Sequence, residues 1–273
     1  MNDDPESQHF RTLFISDVHL GKRGCQAELL LDFLRHHDAD TIFLVGDIID
    51  GWALKGGWFW PQSHNDVVQK LLRKVRKGTK MIFVPGNHDE FARDYLGMNF
   101  GGVEVMDSVI HEMATGKRFL VIHGDQFDIV INHARWLAML GDWAYEAALF
   151  SNFWFNKVRR ALGFPYWSFS AWAKLKVKDA VNFIGAFEKT LSDEARKQNA
   201  QGVVCGHIHH ATIRDIEGIT YVNTGDFVES CTAVVEHMDG RLEIIRWHSK
   251  AEERSLAEQA EPRAAPRPAK AAA

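Results

Sequence analysis

The chain is poor in cysteine and proline and contains no long apolar run. Three cysteines in 273 residues (Cys25, Cys205 and Cys231) are too few and too scattered for a disulfide framework. No CxxC pair occurs, which argues against a thiolate zinc site or a redox pair, so the three read as free thiols, buried or half-buried, in a reducing compartment. No stretch approaches the roughly 18 uninterrupted apolar residues of a spanning helix. Residues 1–8 are acidic and polar and lack the basic-then-apolar pattern of a secretory signal. The expected location is therefore cytoplasmic, with contact at the cytoplasmic membrane face left open. Charge of one sign is also missing. Against 32 Lys and Arg stand 36 Asp and Glu, a net charge of −4. Nothing in that balance draws the chain to nucleic acid, which is not an expected partner.

What remains is ordinary globular composition, 46% hydrophobic and 25% charged. The length suits one large domain or one domain with an insertion. Two residue types are abundant, fourteen His and nine Trp. Histidine is the commonest metal ligand and acid–base group, and tryptophan is costly to leave exposed. Where they fall is informative.

Residues 11–16 (RTLFIS) read as a buried strand, and residues 26–37 place Leu29, Leu30, Phe33 and Leu34 at helical spacing. A second apolar run at 41–45, a basic amphipathic helix at 65–76 and a third strand at 80–84 follow. Strand, helix, strand, helix, strand predicts a layered α/β core, to which runs at 119–122 and 202–205 add two strands. Between residues 126 and 199 the periodicity is helical and five Trp occur: Trp136, Trp143, Trp154, Trp167 and Trp172. We read this segment as a cap inserted into a core of residues 10–125 and 200–248. Residues 211–247 predict short antiparallel strands with turns at Gly218 and Gly240. Residues 249–273 have little to bury and are expected to be disordered.

Five short motifs end apolar runs. They are Asp17 with His19; Gly46, Asp47 and Asp50; Gly86, Asn87, His88 and Asp89; His123 and Asp125; and Gly206, His207 and His209. Ligands in open α/β sheets lie beyond the carboxyl ends of the strands, so the five can converge on one edge. Oxygen and imidazole donors without thiolate suit Mn²⁺, Fe or Zn²⁺. Two such ions about 3.5–4 Å apart clamp the attacking and leaving oxygens of a phosphoryl transfer. Holding them so close needs a bridging carboxylate, for which Asp47 is the natural candidate.

The order DxH, GDxxD, GNHD, HGD, GHxH resembles the calcineurin-like metallophosphoesterases over roughly residues 11–247. That resemblance implies a four-layer α-β-β-α sandwich, here with a helical cap, and two divalent metal ions, expected to be Mn²⁺. One metal would take Asp17, His19, Asp47 and His209, and the other Asp47, Asn87, His123 and His207. Asn87, His88 and Asp47 would carry the reaction. Asp89 would orient His88, and Asp50 and Asp125 would support the ligands. Within that superfamily the stretches TLFISDVHLG and LVGDIIDGW, with the helical insertion, resemble the UDP-2,3-diacylglucosamine pyrophosphatases. This implies hydrolysis of a nucleotide-sugar lipid to UMP and a lipid monophosphate. In those enzymes the cap holds acyl chains, so Lys174, Lys176 and Lys178 here would bind substrate beside cap aromatics. Those aromatics also read simply as the cap's own core. One residue departs from that narrower pattern: the pyrophosphatases carry Arg after the Asn of the third motif, where this chain has His88.

Trp52, Trp58 and Trp60 fall in what reads as a loop. Either they line the substrate groove or touch a membrane, with Trp52 the substrate contact, or they pack beneath the cap. His64 in the same stretch reads as solvated, and His210 and Asn223 read as structural. A nuclease, cyclic-nucleotide phosphodiesterase or protein phosphatase on the same metal centre is the alternative. A non-enzymatic scaffold is disfavoured by the complete ligand set.

Overall fold

The structure is a computed structural model that describes residues 7–130 and 169–247, with only the backbone described at 128–130 and 169–182. Trp136, Trp143, Trp154, Trp167 and the tail from residue 248 lie outside the described residues. So do the side chains of Trp172, Lys174, Lys176 and Lys178.

The elements run β1 (Gln8–Ile15), α1 (Ala27–His36), β2 (His37–Val45), α2 (Gly51–Gly56), α3 (Gln62–Arg76) and β3 (Lys80–Val84). A 3-10 turn (Glu90–Tyr95) then leads to β4 (Asn99–Phe100), β5 (Val103–Val105), β6 (Val109–Glu112) and β7 (Arg118–Val121). After a second 3-10 turn (Asp125–Val130) come α4 (Phe169–Lys197), β8 (Gly202–Cys205), β9 (Thr212–Ile216), β10 (Ile219–Asn223), β11 (Thr232–Glu236) and β12 (Leu242–Arg246). A seven-stranded sheet has the order β12-β11-β1-β2-β3-β5-β4, and a five-stranded sheet the order β6-β7-β8-β10-β9. β1, β2, β3 and β5 are parallel neighbours in the first sheet, as are β7, β8 and β10 in the second.

Strand alternation divides the apolar residues among three cores. Leu13, Ile42, Leu44, Met81 and Val235 point to α1 and α3, and pack with Leu30, Leu34, Val67 and Leu71. Their strand neighbours Phe14, Phe43, Val45, Ile82, Val84 and Val234 meet Phe119, Val121, Val204 and Val222 between the sheets. Leu120, Ile122, Val203, Cys205 and Tyr221 face α4 through Phe187, Leu191 and Ala195. A strand buried on both faces reads as a continuous apolar run, which is why IFLV and MIFV show no alternation in the sequence. The result is the helix–sheet–sheet–helix order expected. α1 stops where β2 begins because His37 is already extended, at φ −131° and ψ 126°.

Three features differ from the sequence reading. The insertion was expected to extend to residue 199, but residues 183–197 of α4 belong to the core layer: Phe187, Leu191 and Ala195 repeat at helical spacing onto β7 and β8. Residues 51–56, expected as loop, form α2, because the Asp50 carboxylate accepts the Ala53 N–H at 2.8 Å and caps it. Third, β10 and β11 lie in different sheets, although both belong to the stretch read simply as antiparallel. Cys205 and Cys231 are buried and Cys25 half-buried, all with free thiols.

Candidate metal centre

Every motif residue sits just past the carboxyl end of a parallel strand: Asp17 after β1, Asp47 after β2, Asn87 after β3, His123 after β7 and His207 after β8. The two sheets are joined at this edge. The His207 N–H donates to Asp17 Oδ2 at 3.0 Å across the sheets, the Phe227 N–H donates to the Asp17 carbonyl at 3.0 Å, and within the first sheet the Asp17 N–H donates to the Gly46 carbonyl at 3.0 Å. The strand exits turn sharply. Asp17, His19, Asp47, His207 and His209 all have φ between 51° and 72°. Such left-handed backbone costs on the order of 1–3 kcal/mol per non-glycine residue and collects where structure is spent on function. Gly86 and Gly206 are required by close approach. A Cβ on Gly86 would lie 2.3 Å from Asp47 Oδ1 and 2.6 Å from His123 Nε2, and one on Gly206 2.5 Å from Asp17 Oδ2.

Asp47 is the hub. Its Oδ1 accepts the His88 N–H at 2.8 Å. Its Oδ2 lies 3.5 Å from His123 Nε2, 3.9 Å from His19 Nε2 and 4.0 Å from His88 Nε2. On the other side, His209 Nε2 is 3.1 Å from Asp17 Oδ1. The donor atoms fall into three overlapping sets: Asp17, His19 and His209; His19, Asp47 and His88; Asp47, His123 and His207. Within each set the atoms lie within 4.8 Å of one another, a spacing a divalent ion could occupy.

The chemistry of the donors fits a cation. His19 Nε2, His123 Nε2 and Asn87 Oδ1 are buried and make no hydrogen bond among the described residues. The far nitrogens of both rings are pinned: His123 Nδ1 donates to the Val45 carbonyl at 2.8 Å, and His19 Nδ1 lies 3.1 Å from Asp50 Oδ2. That tautomer turns the Nε2 lone pairs inward. Burial acts to lower the His123 imidazole, but the adjacent Asp47 carboxylate prevails and pushes it up to about 10. Burial likewise acts to raise Asp47, and the imidazoles of His123 and His88 hold it below the usual carboxylate range. Asp47 and His123 are thus coupled as carboxylate and imidazolium, and a cation bound at His123 Nε2 would take the place of that proton.

Two supporting residues do not act as the sequence suggested. Asp89 does not orient His88. Its carboxylate accepts the backbone N–H groups of Asp47, Ile48, Ile49 and Gly86 at 2.6–3.3 Å, fixing the loop after β2. Burial and the neighbouring Asp47 charge push Asp89 up to about 6. Asp50 is the residue beside His88, with Oδ1 3.0 Å from Nδ1, while Oδ2 holds His19. Asp125 grips Arg93 with both oxygens, at 2.7 and 2.8 Å. Arg93 also donates to the Pro85 carbonyl, tying the third motif to the fourth.

The sequence did not point to Ser16 and Thr224, whose hydroxyls meet, with Ser16 Oγ donating to Asp17. A Ser preceding a strand-end Asp carries no signal of its own. His64 is buried, not solvated. Its Nδ1 accepts the Gly21 N–H at 3.0 Å, and the rings of Phe59 and Trp60 stand edge-on to it. Trp52 places its ring 4.2 Å from that of His88. Asn223 is buried and holds the Gly206 carbonyl at 2.6 Å, and His210 is exposed.

The model of the family described as calcineurin-like phosphoesterase matches residues 10–211. A protein of Xanthomonas campestris pv. campestris named UDP-2,3-diacylglucosamine hydrolase is 27% identical over 248 residues, covering 84% of this chain and 96% of that protein. One of the same name from Neisseria gonorrhoeae is 24% identical, covering 83% and 93%. Among solved structures, the phosphoesterase YfcE of E. coli aligns over 86% of this chain and 98% of its own, at 14% identity and a TM-score of 0.39. The family match spans all five motifs and the strands that carry them, and the chain belongs to the calcineurin-like phosphoesterase family.

Proposed function

We propose that the chain hydrolyses the diphosphate of UDP-2,3-diacylglucosamine to UMP and 2,3-diacylglucosamine 1-phosphate. The observation that carries this reading is the alignment, over 84% of the chain, with a relative named for that substrate. The geometry supports the reaction class. One cation would be held by Asp17, His19, Asp47 and His209 and a second by Asp47, Asn87, His123 and His207, with Mn²⁺ the ion we assign to this mixed oxygen and imidazole donor set. When bound, the two cations supply Lewis-acid neutralisation of phosphoryl charge.

The chain's own residues do the positioning. Asp47 joins the two halves of the site. Asp50 bonds His19 and lies 3.0 Å from His88 Nδ1, which sets the ligand and the catalytic imidazole beside one carboxylate. His88 is half-buried, with Nε2 facing the centre, where it stabilises charge on a nonbridging oxygen. Trp52 on one side of His88, with Lys174, Lys176 and Lys178 on α4, would contact the substrate. An acylated substrate also implies work at a membrane surface. Among the described residues no helix is long and apolar enough to cross one.

His88 favours a second reading, cleavage of phosphodiesters. A phosphate leaving group has a second pKa near 6 and departs without a proton, whereas an alkoxide needs one. His88, beside Asp50, is placed to give it. Turnover of UDP-2,3-diacylglucosamine, measured beside a nitrophenyl diester and an oligonucleotide with added Mn²⁺, separates the readings. Release of UMP as the preferred reaction supports the first. Cleavage of the diester or oligonucleotide with no UMP release discards it for the second.

A further inference from the structure

We infer that the surface built by residues 21–24, α2 and the loop after it docks onto a bilayer containing anionic lipid. Trp58 is 79% exposed, the highest value for any large hydrophobic side chain among the described residues. Its neighbours are anchored: Trp60 packs against the core beneath α1 and α3, and Phe59 lies against His64. The loop is therefore held while its tip projects a single indole.

The segment at 21–24 belongs to the same surface. The Gly21 N–H donates to His64, the Leu54 side chain closes on Gly21, and the Arg23 guanidinium sits 4.6 Å over the Phe59 ring. Lys22, Arg23 and Lys55 are exposed, and none has an ion pair among the described residues. Residues 18–27 and 51–65 contain no Asp or Glu.

An exposed indole beside unpaired cations is the combination suited to the headgroup layer of an anionic membrane. A second copy of the chain fits poorly, because self-contact would bring like charges together. Phe91 borders α2 at Gly51, and the exposed apolar side chains beyond it, Tyr95, Leu96, Met98 and Phe100, are interleaved with Asp94 and Glu104 and lack that charge match. Trp52, on the same short helix, leans on His88, so docking brings the mouth of the metal centre to headgroup level. That last consequence rests on the lipid-substrate reading, whereas the docking itself does not.

The test is co-sedimentation of the full chain with phosphatidylcholine vesicles, with and without phosphatidylglycerol. Binding to the anionic vesicles is expected, with a blue shift of tryptophan emission. Trp58→Ser should abolish the shift and most of the binding. Lys22→Ser, Arg23→Ser and Lys55→Ser should each weaken partitioning about fivefold. All four variants should keep the wild-type thermal midpoint and its rise with added Mn²⁺, which shows that the fold and metal centre are intact. The proposal is overturned if the wild type ignores anionic vesicles, if the variants bind as it does, or if Trp58→Ser merely converts a dimer to a monomer. Binding without turnover of the UDP-lipid leaves the docking surface standing and removes the substrate reading. Turnover without binding does the reverse.

Discussion

Two buried polar clusters lie toward opposite ends of the strands, and they are built to opposite rules. Near the start of β1, the fully buried Glu236 has both oxygens occupied. Oε1 accepts from Arg11 and the Ala114 N–H, each at 2.7 Å, and Oε2 from Thr12 at 2.7 Å, with His111 at 2.8 Å. Burial alone would raise this carboxyl, yet His111, Ala114 and Thr12 hold it down to about 2. At the carboxyl end of the same strand the cluster around Asp47 leaves His19 Nε2, His123 Nε2 and Asn87 Oδ1 without hydrogen bonds among the described residues. An unmet buried group costs about 1–3 kcal/mol, so several converging on one point amount to a large deficit. The closed cluster pins β1 and β11 to β6. Among the described residues nothing meets the open one.

Breaking the hub should have the largest effect. Asp47→Ala is expected to lower phosphoesterase turnover on the order of 10³-fold or more, while the thermal midpoint in chelator stays near that of the wild type. Steady-state assay and a thermal melt check both halves. His88→Ala should cost about 10²-fold or more on a diester with an alkoxide leaving group, and clearly less on a diphosphate. An equal loss on both would make His88 an electrostatic residue only.

The closed cluster should answer in stability instead. Glu236→Gln is expected to lose about 3 kcal/mol at pH 7 in urea unfolding, with activity per folded molecule unchanged. Because the folded-state pKa is depressed, this contribution is fully present above the ordinary glutamate value. It fades as pH falls toward 2, so wild type and variant should converge in acid. The smallest effect is expected at Asp50, which touches both ligand and helix. Asp50→Asn should weaken Mn²⁺ activation about 10–100-fold, seen as a rightward shift of the metal titration.

The open cluster was the more legible of the two in sequence. Each candidate ligand lies beyond an apolar strand, and a carboxylate or imidazole at a strand end stands out against IFLV or MIFV. The roles of the supporting carboxylates did not show, because Asp50, Asp89 and Asp125 look alike until the loops are folded. Only then does Asp89 turn to backbone, Asp125 to Arg93 and Asp50 to the two imidazoles. His64 escaped for a similar reason, since its burial depends on Gly21, far away in the chain. Strands β4 to β6 have two to four residues each, too short for a period to register. The sheet change between β10 and β11 left no mark, because both strands are buried on two faces. Glu236, at the end of an apolar strand, carried no pattern that set it apart.

The most direct test of the account is the metal content of the chain itself. After removal of metal by chelation, reloading with Mn²⁺ and dialysis, elemental analysis should find two ions per wild-type chain, clearly fewer in Asp47→Ala, and two in Glu236→Gln. A wild-type chain that retains none, or an Asp47→Ala chain that retains both, would contradict the assignment of the open cluster as a two-cation site sharing Asp47.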